Sequence, residues 1–260
     1  MSLVSRGRRN TRTSLKSSFP PEEDTRAQQM QTSKINYLLL FLLLTGCTSS
    51  QGFDRTAMGE RLHGLSTPVP QGQPLLAQSA RPSPPFRLGI LFATHNVPDT
   101  PSIRKVEWLS ADRDQLLREL APLQDEQLLV DTSVLMDVTL RSENIKEIRQ
   151  AGARFGADMV LIVDGVAAVD RYNNRLAWLY PTLLGAYLIP GTESDALVMA
   201  TGSLWAVRSD WHAPIPTVEA RSKAVGAAAF VEDATALQEA KQQVIQALGK
   251  RITDQLQSLK

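Results

Sequence analysis

Three short apolar runs predict buried strands in the second two thirds of the chain. They cover 86–94, 127–136 and 158–169, and each has the length and apolar content of a strand buried on both faces. Two helical patterns lie between them, so the order is βαβαβ. This order predicts an α/β (α+β) domain with a three-to-six-stranded mixed sheet that carries helices.

The two predicted helices have start and stop signals. Ser110 and Ser142 are placed to cap their first turns, because serine oxygens accept backbone N–H groups at helix starts. Pro122 should end the first helix, and Gly156 fits the residue after the second.

The pattern changes after residue 170 to that of hairpin strands followed by one long helix. The run 196–207 predicts a strand, and 213–220 predicts a returning edge strand, since Pro214 and Pro216 suit only an edge. Residues 233–259 repeat leucine, isoleucine and valine at helical spacing. They predict a long amphipathic helix packed on the sheet.

The segment 176–189 is uncharged, contains three aromatic residues and has Pro181 near its middle. We expect a bent strand here, with 180–187 paired in the sheet and aromatic side chains partly exposed at the domain's edge. The alternatives are a fully buried pair of strand segments and an exposed surface for a bilayer. Trp178, Tyr180 and Tyr187 are therefore candidates for a partner surface.

Near the amino terminus, an uncharged apolar stretch at 35–44 is too short to span a bilayer but fits the core of a signal peptide. The sequence Leu44-Thr45-Gly46-Cys47 ends it and looks like the lipobox of bacterial lipoproteins. That resemblance implies signal-peptidase recognition through Leu44, Thr45 and Gly46 and lipidation of Cys47. It also implies retention at the periplasmic face of the outer membrane, because the next residue is Thr48.

These signals divide the chain into three parts. Residues 1–46 are a leader and lipoprotein signal peptide, within which 1–29 are expected to be a disordered upstream extension before Met30. Residues 47–85 are a lipidated, proline-rich tether that could reach on the order of 100 Å at ~3.1 Å per residue. Residues 86–260 form a single periplasmic α/β domain. An alternative is that Leu75, Leu76 and Phe86 dock on that domain.

Charge and composition narrow the function. Residues 1–46 hold 7 of the 28 basic and 3 of the 27 acidic residues, so the rest carries a formal net charge of −3. Such a chain is not expected to bind nucleic acid. A single cysteine and three histidines without metal-ligand spacing predict no metal site and no cofactor. Asp164, within a predicted strand, is the one carboxylate considered for acid–base chemistry.

Two motifs add a family resemblance. Tyr187-Leu-Ile-Pro-Gly-Thr192 and Phe155-Gly-Ala-Asp158, together with the lipobox, resemble the rhombotarget lipoproteins of Gram-negative bacteria. More distantly, 156–162 after a helix is similar to the TolB amino-terminal, curli-secretion and penicillin-binding-protein-activator lipoproteins. That group implies envelope assembly rather than catalysis. Some relatives of the rhombotarget system end in a Gly-Gly and transmembrane tail, whereas this chain ends in the predicted helix.

Together these features predict an outer-membrane-anchored, non-enzymatic interaction or assembly factor with an envelope protein partner. One alternative is a secretion-channel or pore subunit that uses 176–207 as membrane hairpins. Another is a hydrolase, for which no nucleophile–base pair can be named.

Overall fold

The computed structural model describes residues 49–65, 82–93, 102–135, 144–182 and 184–260, without the side chains of 63–65. All of them belong to one compact unit, Gly46–Lys260. The predicted signal peptide, Cys47 and the Leu75-Leu76 pair lie outside the described residues.

The described elements are seven helical segments and six strands. In chain order they are α1 (Arg55–Leu65), β1 (Phe86–Phe92), β2 (Ile103–Lys105), α2 (Ser110–Leu120), α3 (Pro122–Asp125), β3 (Leu129–Val134), α4 (Ile145–Arg154), β4 (Met159–Asn173), the 3₁₀ helix η1 (Arg175–Leu179), α5 (Gly185–Leu188), β5 (Thr192–Ala206), β6 (His212–Gly226) and α6 (Asp233–Gln257).

The six strands form one mixed sheet. Its order is β3-β1-β4-β5-β6, with β2 beside the second half of β4. The strands β3, β1 and β4 run parallel, and β4, β5 and β6 pair antiparallel. The long β4–β5 ladder runs from Met159 opposite Ala206 to Asn173 opposite Thr192, so one end of the sheet is formed by these last two residues.

Helices cover both faces of the sheet because successive residues of β4 point to opposite sides. Met159, Leu161 and Val163 pack with α2 and α6 in the largest core. On the other face, Val160 and Ile162 pack with Ile148 of α4, whereas the following part of β4 packs with α1. The mixed α/β fold, its helices and the docked carboxy-terminal helix are confirmed.

Local details differ from the predictions. Asn144, not Ser142, caps α4, accepting from the Lys146 N–H at 3.1 Å. In the first turn of α2 the carboxylate of Asp112 accepts the N–H of Leu109 at 2.9 Å, in place of a cap by Ser110. Strand β2 lies between the first predicted strand and the first predicted helix, where the sequence predicted no strand. Gly156, with φ +71°, follows α4 as expected.

Helix α1 corrects the predicted tether. It lies within 47–85, yet its Met58 and Leu62 are fully buried against the sheet, with Ile103, Val166 and Leu197. Burial of two apolar side chains on an existing sheet stabilises a helix that would be marginal alone. The folded unit therefore begins before Phe86.

The prediction that 180–187 pairs in the sheet is wrong. This part of the chain leaves the sheet after β4 and returns only at β5, and it holds η1 and α5 instead of a strand. Pro181 has no N–H to offer a ladder, and the local hydrogen bonds turn the chain instead. Residues 192–206, which the pore alternative assigned to membrane hairpins, form β5, a central strand of the sheet.

Candidate functional site

The loop 174–191 joins β4 to β5 at one end of the sheet, and Asn174 closes its base. The Asn174 N–H donates to the Gly191 carbonyl at 2.8 Å, and its side-chain amide donates to the Pro190 carbonyl at 3.0 Å. Its side-chain oxygen accepts the Leu176 N–H at 2.9 Å and starts η1. One asparagine thus fixes both ends of the loop.

The inside of the loop is closely packed around two glycines. A Cβ on Gly185 would lie 2.0 Å from the Leu179 carbonyl oxygen, and one on Gly191 would lie 2.8 Å from the Tyr180 hydroxyl. That hydroxyl is hydrogen-bonded to Thr192 Oγ1 at 2.7 Å. Larger residues would not fit at either glycine, so the loop is closely packed at both positions.

The outside of the loop is apolar and exposed. Of the ten large hydrophobic side chains that are exposed in the described part, five lie on it and a sixth contacts it. We call this surface the rim; it consists of Leu176, Trp178, Leu184, Tyr187, Leu188 and Phe230.

Phe230 joins the rim from the turn between β6 and α6. Its ring lies edge-on to that of Tyr187, with the centroids 6.2 Å apart. The Ala229 N–H donates to the Ala186 carbonyl at 3.2 Å, which ties this turn to α5. The rim is therefore a surface made by two separate segments held together.

The rim is as large as the largest apolar patch of an ordinary monomer. Trp178, Tyr187 and Phe230 are 65%, 57% and 69% exposed. With about 150–250 Å² per aromatic side chain, these three alone expose on the order of 400 Å². The largest apolar patch on a typical monomer is ~300–600 Å² and often functional. The three leucines enlarge the rim further, so it is a candidate contact surface.

In the half of the sheet that carries the rim loop, the segment before α1 is fixed to the sheet. The carboxylate of Asp170 accepts the Ser50 hydroxyl at 2.6 Å and the Gly52 N–H at 2.9 Å. Arg221 lies over the ring of Phe53, 5.6 Å from its centroid. We call these contacts of 50–53 the clamp. They attach the chain three residues after Cys47 to the same half of the sheet that carries the rim.

A polar cluster lies beneath the clamp on the same face of the sheet. Asp195 is buried, and its Oδ2 accepts from Arg221 and, at 3.1 Å, from the Tyr172 hydroxyl. Lys223 lies 2.5 Å from Glu193. Glu193 also accepts the amide of Asn174 at 3.1 Å. The cluster therefore connects the clamp to the base of the rim loop.

The charges of this cluster stabilise one another. The hydrogen bond from Lys223 lowers the pKa of the Glu193 carboxyl and raises the pKa of the Lys223 ammonium. Burial, and then the neighbouring Glu193, raises the pKa of the Tyr172 hydroxyl. The charged pair of Glu193 and Lys223 and the un-ionised hydroxyl of Tyr172 hold the cluster together, because each side chain has a partner within it.

The sequence-predicted partner residues occupy different positions. Trp178 and Tyr187 are on the rim, whereas Tyr180 is only partly exposed and its hydroxyl supports the loop from inside. Sequence reasoning missed the three leucines and Phe230. The absence of charge across 176–189 could have indicated that the leucines belong to the same surface as the aromatic residues. The contact of Phe230 with this loop could not be predicted, because it depends on the tertiary fold.

The candidates for chemistry lie elsewhere. Asp164 is buried in β4 opposite Thr201. His212 stacks on Trp205, with centroids 4.6 Å apart. Within the described ranges, no three His, Cys, Asp or Glu side chains are grouped in a way that could hold a metal ion. None of the helices described is long and apolar enough to cross a membrane.

Comparison with known proteins finds no matching family model and no matching curated protein. Solved structures that are similar include a hypothetical protein from Chlamydia trachomatis, with 8% identity, a TM-score of 0.30, and coverage of 64% of this chain and 94% of that chain. A neuraminyllactose-binding hemagglutinin homolog from Helicobacter pylori has 14% identity and a TM-score of 0.23, and the match covers 69% of this chain and 89% of that chain.

Proposed function

We propose that the protein is an outer-membrane-anchored periplasmic lipoprotein, held by lipid on Cys47, and that it works as a non-enzymatic interaction factor of the envelope. The rim is the observation that carries the proposal. A closely packed loop that presents leucines and aromatics to solvent is suited to contact with another component of the envelope, either a protein or the bilayer.

The anchor rests on the sequence Leu44-Thr45-Gly46-Cys47 after an uncharged apolar run. Lipid chains contribute ~0.8 kcal/mol per buried methylene, and two chains already anchor a protein stably. The similarity to rhombotarget lipoproteins and to the envelope assembly group is in keeping with this anchor. The clamp supports it too, because an ordered unit starts directly after the proposed lipid site.

Labelling of Cys47 tests the anchor. Cells that express the full chain should incorporate radiolabelled palmitate into the protein and place it in the outer-membrane fraction. The Cys47→Ser variant should take up no label and remain uncleaved. Thr48→Ser, one residue away, is the matched control and should mature normally. Normal labelling of Cys47→Ser would refute the lipid site.

Cross-linking in intact envelopes tests the interaction. A tagged wild-type protein should capture a reproducible envelope protein after cross-linking. The uncleaved Cys47→Ser protein should lose this complex, because it is not delivered to the outer membrane. Capture of the same protein by Cys47→Ser would show that anchoring is irrelevant to the interaction.

A further inference from the structure

The position of the rim relative to Cys47 limits what can cover it. Ser50 is bonded to Asp170, and Cys47 precedes Ser50 by three residues. At ~3.3–3.6 Å per residue, the Cα of Cys47 lies within about 11 Å of that of Ser50. Asp170 is in turn four residues before Asn174, or roughly 13 Å along β4. The side-chain hydrogen bond between Ser50 and Asp170 adds up to roughly 8 Å between their Cα atoms, so the lipid site and the start of the rim loop lie within about 32 Å of each other.

A lipid on Cys47 therefore keeps the rim within reach of the membrane surface. The clamp allows no long spacer between them, since 50–53 are bonded to Asp170 and packed under Arg221. The rim side chains project from a loop that lies beyond the ends of β4 and β5. Among envelope components, the bilayer is the one that the anchor delivers to this end of the sheet.

The chemistry of the rim suits the boundary between lipid headgroups and acyl chains. Tryptophan and tyrosine favour this layer because an apolar ring and a polar N–H or O–H can be satisfied together. Leucine and phenylalanine supply apolar surface that enters ~5–10 Å below the headgroups. The segment 176–189 carries no charge, so its entry into this layer desolvates no ionic group.

We infer that the rim inserts into the interfacial layer of the membrane that holds the lipid of Cys47, so that the domain sits on the bilayer by the β4–β5 end of its sheet. This inference rests on the proposed lipidation of Cys47. The rim is then a second membrane contact, and an envelope protein partner binds elsewhere on the domain.

Tryptophan quenching by brominated lipids tests the inference. Of the four tryptophans, Trp178 is on the rim, Trp108 and Trp205 are buried, and Trp211 lies at the opposite end of the sheet, after β5. The purified lipoprotein is reconstituted in phospholipid vesicles whose acyl chains carry bromine near the headgroup. We expect quenching that is lost in Trp178→Phe and retained in Trp211→Phe.

A second pair of variants tests the whole rim. Leu188→Ser should reduce the quenching of Trp178, because it makes the neighbouring surface polar. Val130→Ser is the matched control: Val130 is 54% exposed but lies on β3, outside the rim, so quenching should not change. Equal quenching in both variants would overturn the inference.

A photo-cross-linker in place of Trp178 in living cells identifies the occupant directly. Adducts with phospholipid support the inference. A defined protein adduct would show that the rim binds protein and would overturn it. If Cys47 takes up palmitate but Trp178 is not quenched, only the membrane contact of the rim is overturned. If Cys47 takes up no palmitate, the proposed anchor and this inference are overturned together.

Discussion

Replacement of Met58 by alanine should detach α1 from the sheet without unfolding the domain. Among the described side chains of α1, those of Met58 and Leu62 are fully buried, and Glu60 between them is exposed. Truncation of a buried methionine to alanine costs about 2–5 kcal/mol. An 11-residue helix is marginal by itself, so a loss of this size removes most of what holds α1 in place.

The loss should appear as local opening. A change of about 2 kcal/mol raises the open population by ~30-fold, since 1.4 kcal/mol corresponds to a factor of ten. Trypsin should therefore cleave after Arg55 or Arg61 at least ~30-fold faster in Met58→Ala, until α1 is fully detached. The thermal midpoint of the rest of the domain should change little, because the main core lies on the other face of the sheet.

Leu248→Ala is the contrasting variant. Leu248 is fully buried in α6 and belongs to the main core. The same cost of about 2–5 kcal/mol should here lower the thermal midpoint by roughly 4–20 °C, for a chain of this size. Glu60→Ala serves as the neutral control on α1. If Met58→Ala lowered the midpoint as much as Leu248→Ala with no selective cleavage, α1 would belong to the same cooperative unit. If Met58→Ala changed neither the thermal midpoint nor the rate of tryptic cleavage, α1 would not be docked on the sheet.

Two further predictions concern charged pairs. Lys241 lies 2.5 Å from Asp112, and both side chains are buried. Lys241→Met leaves the buried carboxylate without its cation and should lower the free energy of unfolding, measured in urea, by about 3–5 kcal/mol. Adding Asp112→Asn should recover much of this loss, because it removes the unpaired charge. Since Lys223 lowers the pKa of Glu193, this carboxyl contributes stability above its ordinary pKa of about 4.3 and loses it as the pH falls toward the lowered value. In Glu193→Gln, the free energy of unfolding measured in urea should fall less steeply as the pH is lowered. An unchanged fall would contradict the pairing of Glu193 with Lys223.

The main elements could be predicted because their apolar patterns are long. The strand from Met159 onward has ten consecutive buried residues, which no surface segment would carry. Helix α6 repeats its buried positions over many turns. In both elements the local pattern and the tertiary environment agree, so the sequence was enough.

The failures share a physical cause, which is dependence on distant partners. Helix α1 has two core positions four residues apart among charged neighbours, a pattern too weak to stand out before the sheet is known. The run 176–189 is equally compatible with a strand by composition. Its loop shape depends on Asn174 reaching Pro190, sixteen residues later. The pairing of Asp195 with Arg221 required the β5–β6 register, which the sequence did not supply.

The clamp changes what the proposed anchor can reach. A proline-rich tether of 39 residues would let the domain search for a partner as far as ~100 Å from the membrane. With Ser50 bonded to Asp170, the folded unit begins three residues after the lipid site, or about 11 Å away at full extension. The prolines from 68 to 85 then lie between α1 and β1, two elements of the same sheet-based unit, and add nothing to the reach. If Cys47 is lipidated as proposed, the domain is therefore held at the membrane surface, and a partner must be reached by the folded domain itself instead of by a long tether.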